Sequence, residues 1–287
     1  MRPGLVVKKT YPSDFDRVYP LLLDFDSPYS CEEWKKIFEY RWDGSKDYIG
    51  YHLEHNETIV GFMGLIFSVR LIGGIKYEFC NITSLIVKPN YRESTLLFIR
   101  QLMRLTDCIL TGFSPIIESY QLLKSIGFVP FEKQYKIIPV VHGMFSKKSK
   151  INVSEMPKIL EKVDGEGMRI IRDHTEKKGI FVLFELKNQT CLVVYKQLQA
   201  KYAGILVNKI QVIHMSDHSF FSENFDSILK IFMNKYGMFT ALYLDGRFAP
   251  SVSKYVTFTK EIYPPRICMG DISHTHIDEL YSESMLL

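Results

Sequence analysis

Apolar positions change period several times along this chain, and the longest unbroken succession runs from Ile75 to Phe128. The apolar run that ends at Leu85-Ile86-Val87 fits a strand, and Pro89 cannot continue a ladder. Ser94 and Thr95 then precede Leu96 to Met103, a run apolar on nearly every side that predicts a buried helix. A helix leaving a strand end offers unpaired N–H groups and the positive end of its dipole, which suits an anion. Cys108 to Phe113 is short and apolar, so it predicts a strand parallel to the first with the helix as crossover. Ser114-Pro115 reads as the start of a further helix, with Ser114 as its N-cap, and Gly127 as the left-handed residue that closes it.

The flanks extend this pattern. Leu5-Val6-Val7 predicts a first strand, and Ser13 with Asp16 and Ser30 with Glu33 read as capping boxes opening two helices. Tyr48 to Glu54 and Ile59 to Arg70 predict an antiparallel pair turning at His55-Asn56-Glu57, and Gly73-Gly74 turns the chain into Ile75 to Lys88. Tyr135 to Val140 completes the order β-α-α-β-β-β-α-β-α-β. Residues 141–152 lose periodicity and read as a linker, with Lys147-Lys148-Ser149-Lys150 as a solvated run. Beyond it the outline repeats: a helix from Ser154, another over 167–175, strands over 180–186, 191–198 and 210–215, a helix with Phe225, Ile228, Leu229, Phe232 and Tyr236 on one face, and a strand over 239–244. Ile277 to Glu283 is either a short amphipathic helix or a frayed end.

A chain of 287 residues, 46% of them hydrophobic, has ample material for a core and exceeds the usual size of one domain. The net charge of +4, from 36 basic and 32 acidic residues, does not imply nucleic acid. Cys31, Cys80, Cys108, Cys191 and Cys268 have no paired spacing, which suits reduced thiols better than disulfides or zinc, with Cys80 in the sheet core. His52, His55, His214, His218, His274 and His276 show no metal-binding spacing, and His274-Thr275-His276 would point opposite ways in a strand, so a site there needs other ligands. No run approaches a signal peptide or a membrane span, so the expectation is a cytoplasmic protein with no membrane partner.

The order strand, Leu85-x-Val87-x-Pro89-x-Tyr91-Arg92, helix, strand and a helix ending in Gly127-Phe128 resembles the core of the GNAT superfamily of acyl-CoA-dependent N-acyltransferases. The resemblance implies a mixed α/β (α+β) fold, a GNAT-like sheet flanked by helices over residues 1–140, a linker over 141–152, and a second, degenerate GNAT-like lobe over 153–287 without a cofactor site. It also implies acetyl-CoA or another acyl-CoA as cosubstrate. Arg92 fits the first position of the family's pyrophosphate loop, but Thr95 and Leu97 replace its two small residues. In the second lobe the matching loop is Met215-Ser216-Asp217-His218-Ser219, where Asp217 opposes a pyrophosphate.

Acyl transfer needs a proton acceptor for the nucleophile, donors for the thioester oxygen and an acid for the thiolate. By the resemblance, Ile86 and Val87 supply N–H donors, and Arg92, Ser94, Thr95 and Leu96 hold phosphate. Glu78 is the candidate base, Asn81, Thr83 and Ser84 are its polar neighbours, Ser114 faces the thiol or only caps its helix, and Tyr120 is an acid candidate one turn from the family's tyrosine, where Leu123 stands. The expected activity is acetyl transfer to an amine or hydroxyl of a small molecule, sugar or peptide. The alternative is an interaction module on a GNAT scaffold that has lost catalysis. Oligomeric state is not encoded in these patterns.

Overall fold

The computed structural model describes residues 2–25, 28–146, 150–175, 177–202, 205–249 and 255–287. The first half runs β1 (Leu5–Thr10), α1 (Phe15–Leu22), α2 (Cys31–Glu39), β2 (Gly50–His55), β3 (Thr58–Ile72), β4 (Ile75–Val87), α3 (Thr95–Leu102), β5 (Cys108–Gly112), α4 (Ile117–Ser125) and β6 (Val129–Pro139). The second runs β7 (Asn152–Glu155), α5 (Gly165–His174), β8 (Ile180–Leu186), β9 (Gln189–Tyr202), β10 (Ile205–Met215), α6 (His218–Glu223), α7 (Phe225–Tyr236), β11 (Thr240–Asp245), β12 (Phe258–Met269) and α8 (Glu283–Leu286). The fold class is the expected mixed α/β arrangement of sheet and flanking helices.

Two compact units result. Unit 1 holds residues 1–131, Arg266–Ile277 and Tyr281–Leu287, and unit 2 holds Glu132–Pro265 and Asp278–Leu280. In unit 1, β1, β2, β3 and β4 pair antiparallel in sequence order, β4 pairs parallel with β5, and β5 pairs antiparallel with Ile267–Met269 of β12. Unit 2 has the same order: β7, β8, β9 and β10 antiparallel, β10 parallel with β11, and β11 antiparallel with residues 135–139 of β6. Each unit therefore takes its last strand from the opposite half of the chain. Chain order alone placed β6 with the first lobe and residues 266–287 with the second.

Local chemistry explains most boundaries. Asn56 and Glu57 both adopt positive φ in the β2–β3 turn, and Gly73 and Gly74 do so in the β3–β4 turn, the geometry that a two-residue hairpin requires. The Ser30 box forms as expected, Glu33 N–H donating to Ser30 Oγ at 3.3 Å and Ser30 N–H to Glu33 Oε2 at 3.0 Å. The Ser13 box does not. Tyr11 N–H bonds Asp14 Oδ2 at 2.9 Å, a 3₁₀ turn takes Pro12–Asp14, and the helix starts one residue later than Ser13 would place it, with Asp14 at its N-cap. Ser154 opens no helix, because pairing of β7 with β8 overrides the local cap preference. His274–His276 is a 3₁₀ turn rather than a strand. The tail is neither frayed nor one helix: Glu279–Tyr281 is 3₁₀, α8 follows, and Met285 and Leu286 are buried. The Lys147–Ser149 part of the basic run lies outside the described residues.

In unit 1, Phe62 of β3 stacks on Phe38 of α2, while Met63, Leu65 and Phe67 share a core with Phe98 and Leu102 of α3. Helices thus cover both faces of β3, which is why it is buried almost throughout instead of alternating. In unit 2, Phe225, Ile228, Leu229 and Phe232 of α7 share a core with residues of β8 to β11. Among the described residues no helix is long and apolar enough to cross a membrane.

Candidate active site

The pairing of β4 with β5 spans Glu78–Asn81 against Cys108–Thr111, after which β5 ends at Gly112 and β4 continues to Val87. Just past the last pair, β4 carries an extra residue relative to β3, and Ser84 takes φ 51 there. A bulge of this kind bends the strand and re-aims its backbone groups. Ile82, Thr83, Ser84 and Leu85 line a cleft of ≈ 320 Å³ beside the fork, at the carboxyl ends of parallel strands where α/β proteins place ligands.

The other walls come from three elements. Gly112, Ser114, Pro115, Ile116, Ser119 and Leu123 line it from the end of β5 into α4. Phe25, Tyr29 and Trp34 form an aromatic wall in which Phe25 stacks on Trp34 at 5.8 Å and Tyr29 meets Trp34 edge-on at 5.5 Å. Glu283, on α8, brings a buried carboxylate. Asn81 Nδ2 donates to Glu283 Oε2 at 2.5 Å, Ser114 Oγ donates to Glu283 Oε1, and Thr111 Oγ1 donates to Asn81 Oδ1 at 3.3 Å. The amide, the hydroxyl and the carboxylate hold one another in fixed positions. Burial, then the Glu283 charge, raises the Tyr29 pKa, so this phenol stays protonated at neutral pH.

Two sequence candidates, Asn81 and Ser114, thus meet at Glu283. Ser114 does not cap its helix: α4 begins at Ile117, with Ile116 at the N-cap and no side-chain cap bond. Glu78 lies elsewhere, its half-exposed carboxylate bonded by Lys46 Nζ at 2.9 Å. Tyr120 packs against the unit 1 core, and its neighbours Ser119 and Leu123 reach the cleft instead. Ile86 and Val87 end β4, opposite Phe62 and Gly61 of β3. Arg92 is exposed in a 3₁₀ turn over Pro89–Ser94 that leads into α3, and Leu96 is 64% exposed. Ser94 makes no side-chain cap bond, whereas Thr95 spends both its N–H and its hydroxyl on Arg92 O, the latter at 2.6 Å. Sequence reasoning missed Glu283, Tyr29 and Trp34 as site residues. Glu283 carried one signal, a carboxylate two residues before the apolar run Met285-Leu286-Leu287.

No protein-family model matches the sequence, and neither does any curated protein. Solved structures do match. A GCN5-related N-acetyltransferase from Anabaena variabilis aligns with TM-score 0.61 at 10% identity, over 92% of this chain and 72% of that one. One from Kribbella flavida aligns with TM-score 0.59 at 13% identity, over 92% and 70%. The chain has the GNAT fold. The segment from Lys88 to Ser94 leads from the end of β4 into α3, and the β4–β5 fork opens onto the cleft described above.

Unit 2 has a comparable fork of parallel strands lined by other residues. β10 pairs β11 over Asn208–Gln211 and bulges at once, between Val212 and His214. Its last paired carboxamide, Gln211, bonds a buried tail glutamate, Glu279, at 3.2 Å, as Asn81 bonds Glu283 in unit 1. Asp217 is the N-cap of α6, accepting from Phe220 N–H at 2.8 Å.

Proposed function

We propose that the chain is an acyl-CoA-dependent acyltransferase whose reaction centre is the unit 1 cleft. The observation that carries this reading is the bulged, unpaired edge of β4 opening onto a cleft with a buried carboxylate fixed at its floor. Backbone N–H groups along Ile82–Val87 are the donors for the thioester oxygen. Glu283 accepts the proton of the incoming nucleophile, Asn81 and Ser114 position it, and Tyr29 donates a hydrogen bond to the departing thiolate. Arg92 and Ser94 are the groups at hand for the pyrophosphate. The acceptor is an amine or hydroxyl of a small molecule, sugar or peptide. A carboxylate beside three aromatic rings favours the amine, whose ammonium form both would attract. An acetyl group is the donor that fits a cleft closed at its floor by Glu283.

A second reading is a GNAT scaffold that keeps the cleft but has lost the cofactor. It is favoured by the Thr95 N–H being used within its own turn and by the missing glycines. Calorimetric titration with acetyl-CoA separates the two readings, since the first requires saturable binding and the second requires none.

A further inference from the structure

The unit 2 sheet is apolar on both faces where β6, β10 and β11 meet. Ile138, Leu242 and Ile210 belong to the core under α7, so strand alternation sends Ile137, Pro139, Ala241 and Val207 to the opposite face. A second face meant for solvent would carry polar residues there. Instead that face holds a groove of ≈ 420 Å³, lined by Ile137 and Pro139 of β6, Val207 of β10, Ala241 of β11, Phe239 just before it and Phe258 of β12. Ala241 alternates with Phe239 and Tyr243 along its strand, and its small side chain leaves the hollow between larger ones. Phe239 is 66% exposed and Phe258 57%, a costly display of apolar surface unless something covers it.

Three observations narrow what that is. Among the described lining residues only Thr240 has a side-chain oxygen or nitrogen, and its hydroxyl donates to Tyr236 O at 3.1 Å. The buried part of an occupant is therefore hydrocarbon. The lining crosses β10, β11, β6 and β12, which are successive neighbours in the sheet, so the groove follows three strand spacings, roughly 14 Å. That length suits an extended chain better than a compact ring. Lys209 is the register partner of Ala241 and shares its face, with Nζ 4.6 Å from the centroid of the Tyr243 ring. Its stem lies along apolar surface and its ammonium borders the groove. The carboxylate of Glu279, further along the same face, takes hydrogen bonds from Tyr135 at 2.8 Å and Gln211 at 3.2 Å. A single ammonium matches a singly charged head, whereas a phosphate would call for the fork of an arginine.

We propose that this groove binds a free alkyl monocarboxylate, the chain lying across β10, β11 and β6 and the carboxylate meeting Lys209. A concave, mostly apolar site with one placed polar group is the usual form of a small-ligand pocket. The proposal stands on unit 2 alone and does not depend on acyl transfer in unit 1.

The test is calorimetric titration of the full chain with hexanoate, octanoate and decanoate below their micellar concentrations, and with decyltrimethylammonium as the opposite head. Lys209→Met, Ala241→Leu and Phe239→Asp accompany the wild type. Methionine keeps an apolar stem over Tyr243, leucine fills the hollow, and Phe239 is exposed enough for its variant to fold if Ala241→Leu does not. Decanoate should bind at one site per chain, with affinity rising about threefold per methylene along the series. Lys209→Met should weaken it about threefold to fivefold, and a folded Ala241→Leu or Phe239→Asp at least about tenfold. No binding of decanoate by the folded wild type overturns the proposal, as does affinity that ignores chain length. Tighter binding of decyltrimethylammonium, or full affinity in Lys209→Met, overturns the placement of the head at Lys209. Full affinity in Phe239→Asp places the ligand elsewhere on the chain and also overturns it. A wild type that binds no decanoate but sediments as a dimer, dissociated by Phe239→Asp, assigns the groove to a second copy instead.

Discussion

Both oxygens of the buried Glu283 accept a hydrogen bond, one from Asn81 and one from Ser114. Replacing it by glutamine keeps the shape, removes the charge and sets an amide N–H₂ against one of those donors. Glu283→Gln should lower kcat by about 10²–10⁴, the span of general-base catalysis, while acyl-CoA affinity stays within about threefold. Unchanged turnover in single-turnover kinetics would remove Glu283 from the chemistry. A second residue-scale prediction concerns His174. Burial drives its pKa from 6.5 to about 4, against the opposing pull of the two carbonyls. The unfolded chain therefore takes up a proton here before the folded one does. The stability tied to the neutral ring is complete above pH 6.5 and is lost as pH falls toward 4. Histidine NMR should show His174 neutral at pH 6, and protonation at that pH would contradict the assignment.

Elements differ in how far local sequence determines them. Asn56, Gly73-Gly74 and Gly127 predict their turns correctly because glycine and asparagine reach the left-handed backbone region at little cost. The helix from Ser154 fails because edge pairing, invisible locally, outweighs a cap. β12 is illegible for a related reason: Pro264, Pro265, Lys260 and Glu261 argue against a strand, and its partner β5 lies far earlier in the chain. Glu283 was hidden with it, since the apolar run beside it marks the tail as packed but does not say where its carboxylate goes. The 3₁₀ turn Val140–Phe145 occupies the start of the expected linker, and a Cβ on its Gly143 would lie 2.3 Å from the backbone nitrogen of Lys230 in α7. Gly143→Ala should therefore cost about 1–3 kcal/mol in urea unfolding through overpacking. A loss under about 0.5 kcal/mol, the range of ordinary surface changes, would show that α7 yields easily.

At the scale of the whole molecule, the sequence showed the repeated order of elements but not the exchange of last strands. Neither half of the chain contains a complete unit, since Ile267–Met269 closes unit 1 and residues 135–139 close unit 2. A chain ending before Phe258 should lose cooperative unfolding and solubility, because the edge of β5 is uncovered and Glu283 is gone. A soluble truncated protein with a wild-type melt would refute the need for the exchange. The central claim is that the unit 1 cleft takes acyl-CoA. Calorimetric titration of the full chain with acetyl-CoA, beside a Ser119→Trp variant that fills the cleft from α4, tests it most directly. Saturable binding by the wild type, at least about tenfold weaker in the variant, is the predicted result. No binding by a well-folded wild type, or equal binding by both proteins, would contradict it.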